Sequence, residues 1–78
     1  MTPYKNLSGD SGVAAYEIAP GNITVQFKDG WCYVYTAERS GASFIEKMHR
    51  LAEQGEGLAK FISSSGIRDQ FVCKYPNM

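Results

Sequence analysis

The stretch that decides the fold of this chain is ITVQFKDGWCYVYT, residues 23–36. Apolar and polar side chains alternate over residues 23–27, and residues 31–36 are rich in aromatic and β-branched side chains. Both features are typical of β-strands. Between the two runs, the tripeptide KDG at 28–30 has the composition of a hairpin turn. The stretch therefore predicts two antiparallel strands joined by a tight turn.

Two registers of this hairpin are possible, and they place the aromatic side chains on opposite faces of the sheet. A two-residue type I′ turn would pair Lys28 with Trp31, and the central Asp-Gly dipeptide favours this register. A three-residue loop with Gly30 in the left-handed conformation would instead pair Phe27 with Trp31. We predict the second register because it creates one apolar and one mixed face. The apolar face would contain Ile23, Val25, Phe27, Trp31, Tyr33 and Tyr35.

Further strands are predicted on both sides of the hairpin. Residues 13–18 carry strand signals, with Ala15 among the side chains expected to point inward. Residues 71–75 alternate weakly and can return as a fourth strand. Residues 1–12 are rich in Gly, Ser, Asp and Pro, so they predict a flexible N-terminal arm, although Tyr4 could dock on the body.

Two helices are predicted after the hairpin. Apolar residues recur at helical spacing over 43–54, and Ser43 followed by Glu46 is typical of a capping box. Gly55 is a natural C′ residue, and residues 58–63 form a short second helix. The predicted fold is a small α+β domain. Its antiparallel meander of three to four strands is covered on one face by the main helix and the short second helix.

Composition favours a single small domain over residues 13–78. The hydrophobic fraction of 44% is enough for a packed core and argues against intrinsic disorder. Eight Lys and Arg balance eight Asp and Glu, whereas proteins that bind duplex DNA usually carry a basic excess. The two cysteines lie far apart and no signal peptide is visible, so we expect free thiols and a cytoplasmic location. No apolar run approaches the ~18 residues of a membrane span.

The residue types do not predict an enzyme. His49 follows the core-facing Met48 and so points to the flank of its helix, and Cys32 has no visible base partner. The chain has three Cys and His residues in total, too few for a structural zinc site. The Gly-Glu-Gly segment at 55–57 lacks the Lys-Ser/Thr of a phosphate-binding loop. We therefore expect no catalytic residue, no metal and no cofactor.

One cluster indicates a binding module instead. The aromatic residues of 31–35 have Lys28 and Arg39 nearby in sequence, and rings on a sheet can stack on single-stranded bases. With the register that we predict, the pattern favours the alternative that these rings form the core under the helix. RNA is the leading predicted partner, and the alternative is another protein or self-association through Trp31 or Val34. The candidate binding residues are Lys28, Trp31, Tyr33, Tyr35, Arg39, Lys60, Arg68 and Lys74.

Several motifs occur in a recognisable order between residues 13 and 75. They are Ile23-x-Val25-x-Phe27-x-x-Gly30, Tyr33-x-Tyr35, the amphipathic helix, Gly57, Phe61 and Ile67-Arg68. This order resembles the KTSC domain, a short module at the C-terminus of some lysyl-tRNA synthetases and a stand-alone bacterial protein. Family members often have Val-Pro before the helix, whereas residues 37–40 are AERS, so a longer or differently capped loop is expected there. The resemblance implies a small mixed α/β domain and, from the synthetase setting, RNA binding.

Overall fold

The computed structural model describes residues 1–7, 9, 12–65 and 70–76. Within them, five strands form one antiparallel sheet in sequence order: β1 (Thr2–Pro3), β2 (Val13–Ala19), β3 (Asn22–Phe27), β4 (Trp31–Thr36) and β5 (Cys73–Pro76). The helices lie between β4 and β5: α1 (Ala37–Ser40), α2 (Ala42–Gln54) and α3 (Leu58–Ser65). This is the predicted small α+β fold, with β1 as an additional strand.

The hairpin of β3 and β4 has the predicted three-residue loop. Gln26 lies opposite Cys32, which places Phe27 opposite Trp31 at the turn. Gly30 has a φ of 95°, and its N–H donates to the Phe27 carbonyl at 3.0 Å. A side chain with a Cβ adopts such a φ only at a cost, which explains the glycine. The register prediction is therefore confirmed, and the two-residue turn is excluded.

A β-bulge changes which residues of β2 face the helices. Val13 lies opposite Phe27 and Ala15 lies opposite Gln26, so two steps along β2 match one step along β3. As a result, Val13 and Tyr16 both pack with the core. Ala15 shares the other face with Gln26, and the expectation that it points inward is wrong. The bulge breaks the alternation on which that expectation rested.

The main helix α2 begins before the predicted capping box at Ser43. Gly41 is its N-cap residue, without a side-chain capping hydrogen bond, and Ser43 is an exposed residue of the first turn. The cause is α1, which occupies the stretch where a longer or differently capped loop was expected. The Gly41 N–H donates to the Ala37 carbonyl at 2.8 Å, so one glycine ends α1 and starts α2. The capping prediction is therefore wrong.

The other end of α2 lies at Gly55, as predicted. Gly55 has a φ of 85°, and its N–H donates to the Leu51 carbonyl at 3.0 Å. A Cβ at this position would lie 2.5 Å from the Cβ of Lys5, so the glycine is required by crowding as well as by conformation. The Leu7 N–H donates to the Gly55 carbonyl at 2.7 Å. The N-terminal segment is therefore packed against the end of α2.

Residues 2–7 are thus part of the folded body. The prediction of a flexible arm over residues 1–12 is therefore wrong for these residues. Thr2–Pro3 pairs with β2, and Tyr4 is buried in the core. The Tyr4 hydroxyl accepts a hydrogen bond from the Leu58 N–H at 3.2 Å, which satisfies a free donor at the start of α3. The apolar ring and this bond hold the segment in place. The remaining part of the predicted arm includes positions outside the described residues: 8, 10 and 11.

The core lies between one face of the sheet and the helices α2 and α3. Its buried side chains come from every layer: Tyr4, Val13, Ile23, Val25, Tyr35, Ile45, Met48, Ala52, Leu58 and Ile62. The half-buried His49 sits at the flank of α2, as expected. Its Nε2–H donates to the Asn22 carbonyl at 2.8 Å, so this side chain links α2 to the first residue of β3.

Candidate functional site

The structure separates the predicted binding residues. One group lies together at the end of the sheet where β4 begins and β5 ends: Lys28, Trp31, Tyr33 and Lys74. Three others are scattered: Tyr35 lies in the core, Arg39 lies on α1 and Lys60 lies on α3. Arg68 lies outside the described residues. The tertiary structure therefore brings together only part of the predicted site.

Three rings and one ammonium group form what we call the aromatic–lysine cluster: Trp31, Tyr33, Phe71 and Lys74. The Nζ atom of Lys74 lies 4.9 Å from the ring centroid of Trp31, 5.7 Å from that of Tyr33 and 5.9 Å from that of Phe71. Cations within about 6 Å of an aromatic face are attracted by the ring quadrupole. Trp31 is 37% exposed. The cluster thus presents a positive charge and an accessible indole on one surface.

Strand pairing builds this cluster. Tyr33 lies opposite Lys74, and Trp31 lies opposite Pro76. Because side chains alternate along a strand, Trp31, Tyr33 and Lys74 share one face. β5 is at the edge of the sheet and exposed along its length, so Lys74 can reach solvent. Phe71 comes just before β5 and packs edge-on against Tyr33, with centroids 5.0 Å apart.

Two aromatic residues of this region are missing from the predicted site. Phe27 packs edge-on against Tyr33 with centroids 5.3 Å apart, and Phe71, just before β5, contacts the same ring. Alternation along residues 23–27 places Phe27 on the apolar face, so the sequence predicts that it is a core residue. Phe71 lies in a stretch with weak periodicity, so its position depends on the pairing of β5 with β4. The sequence carries no signal for that contact.

Tyr35 does not belong to the accessible group. Its side chain is 0% exposed, and it lies opposite Ile23 in the middle of the apolar face. The core side chains packed in the same cluster include Met48 of α2. The predicted hairpin register itself places Tyr35 on this covered face. We therefore remove Tyr35 from the candidate binding residues.

The basic residues outside the cluster lie apart from it. Arg39 follows β4 at its far end, and Trp31 begins the same strand. At about 3.3 Å per residue, the length of β4 alone separates the two ends by roughly 16 Å. Lys60 is an exposed residue of α3. Arg39 and the cluster therefore lie at opposite ends of β4.

A cavity of about 340 Å³ opens beside the cluster, between the turn of the β3–β4 hairpin and α3. We call it the hairpin cavity. The residues that line it are Gly12, Phe27, Lys28, Asp29, Ala59, Ile62 and Ser63. Phe27 is a wall of the cavity and also contacts Tyr33, so the cavity and the cluster share one aromatic boundary.

Two lysines lie at the end of the sheet where Trp31 begins β4. Lys28 is exposed at the turn, and no ion pair to it is found among the described residues. The Oδ1 atom of the neighbouring Asp29 accepts a hydrogen bond from the backbone N–H of Trp31 at 3.0 Å, which fixes the carboxylate against the turn. Lys28 at the turn and Lys74 over the Trp31 ring therefore provide two cationic groups at this end of the sheet for an anionic ligand.

Of the two cysteines, Cys32 on β4 does not add a nucleophile to this surface. Both are free thiols, and Cys32 is buried opposite Tyr75. Burial raises the pKa of the Cys32 thiol, and its hydrogen bond with Tyr75 offsets part of that rise. A raised pKa disfavours the thiolate, which is the nucleophilic form.

Metal-binding clusters and membrane-spanning helices are absent from the part of the chain that the structure describes. There, no group of three or more His, Cys, Asp and Glu side chains is arranged to hold a metal ion. None of the helices in the same residues is both long and apolar enough to cross a bilayer. Among the described residues, the aromatic–lysine cluster and the hairpin cavity each combine aromatic and lysine side chains.

No family model matches this chain, and no curated protein or solved structure is significantly similar to it. The resemblance to the KTSC domain therefore stays a prediction from the order of the motifs. What the structure defines is a small α+β domain with a cationic aromatic surface at one end of its sheet. A fold alone does not imply an activity, so this surface is the feature that bears on function.

Proposed function

We propose that this protein is a non-catalytic module that binds single-stranded RNA at the aromatic–lysine cluster. The observation that carries the proposal is the Lys74 ammonium group held 4.9 Å from the ring of the exposed Trp31. Sequence-tolerant binding of single strands combines rings on which bases stack with positive charges that follow the phosphates. Trp31 and Lys74 supply one of each at the same place.

The binding mode follows from this geometry. An unpaired base stacks on the accessible part of Trp31, which contributes about 1–3 kcal/mol per base in such sites. Lys74 and Lys28 contact the phosphates on either side. Because the chain has eight basic and eight acidic residues, attraction is local to this surface. With few contacts to offset the ordering of a flexible strand, we expect a Kd on the order of micromolar.

Two further observations support the choice of RNA and of its compartment. The motif order resembles the KTSC domain, which accompanies lysyl-tRNA synthetases, so an RNA partner agrees with the resemblance. Both cysteines are free thiols, which agrees with a cytoplasmic location. A protein partner is the competing proposal, and the experiment below separates the two.

The test is fluorescence anisotropy with a labelled oligouridine over a series of salt concentrations. Counterion release gives a log–log slope of about −0.7 for each phosphate neutralised on a single strand, so two lysines predict about −1.4. Lys74→Ala should weaken binding and bring the slope to about −0.7. Arg39→Ala is the matched control, because it removes the same charge at the far end of β4 and should change neither value.

Two results would contradict the proposal. The first is an absence of salt-sensitive binding at low ionic strength and high protein concentration. The second is an equal loss of affinity in Arg39→Ala and Lys74→Ala, which would mean that net charge alone attracts the strand. Concentration-dependent mass by light scattering would then test the competing proposal, self-association.

A further inference from the structure

The hairpin cavity is not used by the stacking surface, yet it has the size and lining of a ligand site. Its volume of about 340 Å³ falls in the range of about 300–1,000 Å³ that is usual for small-molecule pockets. Its walls combine apolar side chains, Phe27, Ala59 and Ile62, with polar ones, Lys28, Asp29 and Ser63. This combination suits a planar apolar group that carries hydrogen-bonding edges and an attached anion.

Backbone contacts place the two charged residues of the cavity. The Lys28 N–H donates to the Gly12 carbonyl at 2.8 Å, which ties the turn to the start of β2. The Oδ1 atom of Asp29 accepts a hydrogen bond from the backbone N–H of Trp31 at 3.0 Å. Since a carboxylate has about four acceptor positions, most of the acceptor capacity of Asp29 is left for a ligand. The cavity thus offers a fixed acceptor and a cation at an apolar wall.

The cavity also continues the proposed RNA surface. Phe27 contacts Tyr33, and Tyr33 lies next to Lys74, whose ammonium group is over Trp31. Tyr33 and Lys74 therefore connect the cavity wall with the exposed indole. A strand stacked on Trp31 would bring its neighbouring nucleotide to the mouth of the cavity, with Lys28 beside the connecting phosphate.

We propose that the hairpin cavity binds one unpaired guanine base of the RNA, an assignment that rests on the proposed function. An ionised Asp29 can only accept hydrogen bonds. Guanine presents two adjacent donors, N1–H and the N2 amino group, on its Watson–Crick edge. Uracil has one donor between two carbonyl oxygens, which a carboxylate repels. Adenine and cytosine have an amino group beside an acceptor nitrogen, so each offers Asp29 less than guanine does.

The first experiment compares two labelled oligonucleotides, an oligouridine and the same oligomer with one central guanosine. A hydrogen bond to a charged group is worth about 1.5–3 kcal/mol, so we expect the guanosine oligomer to bind about tenfold tighter or more. Asp29→Asn keeps an oxygen for the Trp31 N–H but loses the charge, and it should remove most of this preference. Affinity for oligouridine should not fall in that variant, because the lost carboxylate repels phosphate.

A second experiment follows the methyl signals of Ala59 and Ile62 by NMR during titration with GMP, and separately with UMP. GMP should shift both methyls and UMP should not. Ala59→Met fills the cavity and should abolish the guanosine preference, whereas Ala42→Met makes the same substitution at an exposed site of α2 and should not. Melting curves of both variants check that the fold is intact.

The outcomes separate this inference from the proposed function. If both oligomers bind equally and GMP leaves the methyls unshifted, the guanine assignment is overturned and binding at the aromatic–lysine cluster still stands. If neither oligomer binds, the RNA proposal fails, and the guanine assignment fails with it. If the preference for guanosine persists in Asp29→Asn and in Ala59→Met, the base is read elsewhere and the cavity has no role.

Discussion

Trp31 and Tyr35 are two aromatic residues on the same face of the same strand, and their surroundings differ completely. Tyr35 is buried in the core with Met48 of α2, and Trp31 is exposed beside Lys74. Alternation along a strand determines which face a side chain occupies. Whether that face is covered depends on where the helix ends and which strand lies alongside. One strand can therefore serve as core at one end and as a binding surface at the other.

The largest expected effect tests the covered end. Tyr35→Ala should lower the free energy of unfolding by about 3–5 kcal/mol, the usual cost of truncating a large buried aromatic residue. Trp31→Ala should cost less than Tyr35→Ala, because Trp31 is 37% exposed whereas Tyr35 is fully buried. Urea denaturation of both variants measures the difference. Similar losses in the two variants would mean that the ends of β4 are packed alike.

Measurements of oligonucleotide binding test the exposed end of β4, where Trp31 lies. Trp31→Ala should weaken oligonucleotide binding by about 1–3 kcal/mol, the range for loss of one stacking platform. Trp31→Phe keeps a ring and should retain most of the affinity. Anisotropy titration at a fixed salt concentration gives both values, with circular dichroism to confirm folding. Unchanged affinity in Trp31→Ala would remove the indole from the proposed site.

The covered region also includes the N-terminal segment. Removal of the Tyr4 hydroxyl group tests whether this segment is docked against α3. Tyr4→Phe should cost about 1 kcal/mol, because the Leu58 N–H loses its acceptor in a buried setting. Tyr16→Phe is the control, since Tyr16 is half-buried and no hydroxyl hydrogen bond of it is found among the described residues. Thermal melts would show the difference. An equal effect in both variants would count against docking of the segment through Tyr4.

The smallest effect concerns the start of α2. Ser43→Ala should change the free energy of unfolding by less than about 0.5 kcal/mol, because Gly41 is the N-cap residue and Ser43 is exposed within the first turn. Thr36 caps the preceding α1, where its Oγ1 accepts the Arg39 N–H at 3.3 Å. A loss above about 1 kcal/mol in Ser43→Ala would restore the capping box predicted from the sequence.

Much of the fold could be predicted because its signals are local. Alternation over 23–36 and the single apolar face were enough to choose the hairpin register, and Gly55 marked the end of α2. The errors have local causes as well. A bulge reversed the face of Ala15, and the short helix α1 moved the start of α2 ahead of Ser43. Neither a bulge nor a four-residue helix leaves a reliable periodicity.

The candidate site could be predicted only in part. Lys28, Trp31 and Tyr33 belong to one hairpin, so their proximity follows from its register. Lys74 and Phe71 reach them through the pairing of β5 with β4, a contact between segments about forty residues apart in sequence. Such contacts depend on the whole chain closing on itself, which no short window of residues encodes.

The sequence by itself determined the class of this protein: alternation and helical spacing set the strands, the main helices and the apolar face between them. Only the tertiary structure decided which aromatic residues meet solvent. That decision depends on the position of α2 over Tyr35, the docking of Tyr4 against α3 and the edge strand that carries Lys74 over Trp31. The physical reason is that burial is a property of packed layers, and periodicity describes only one element at a time.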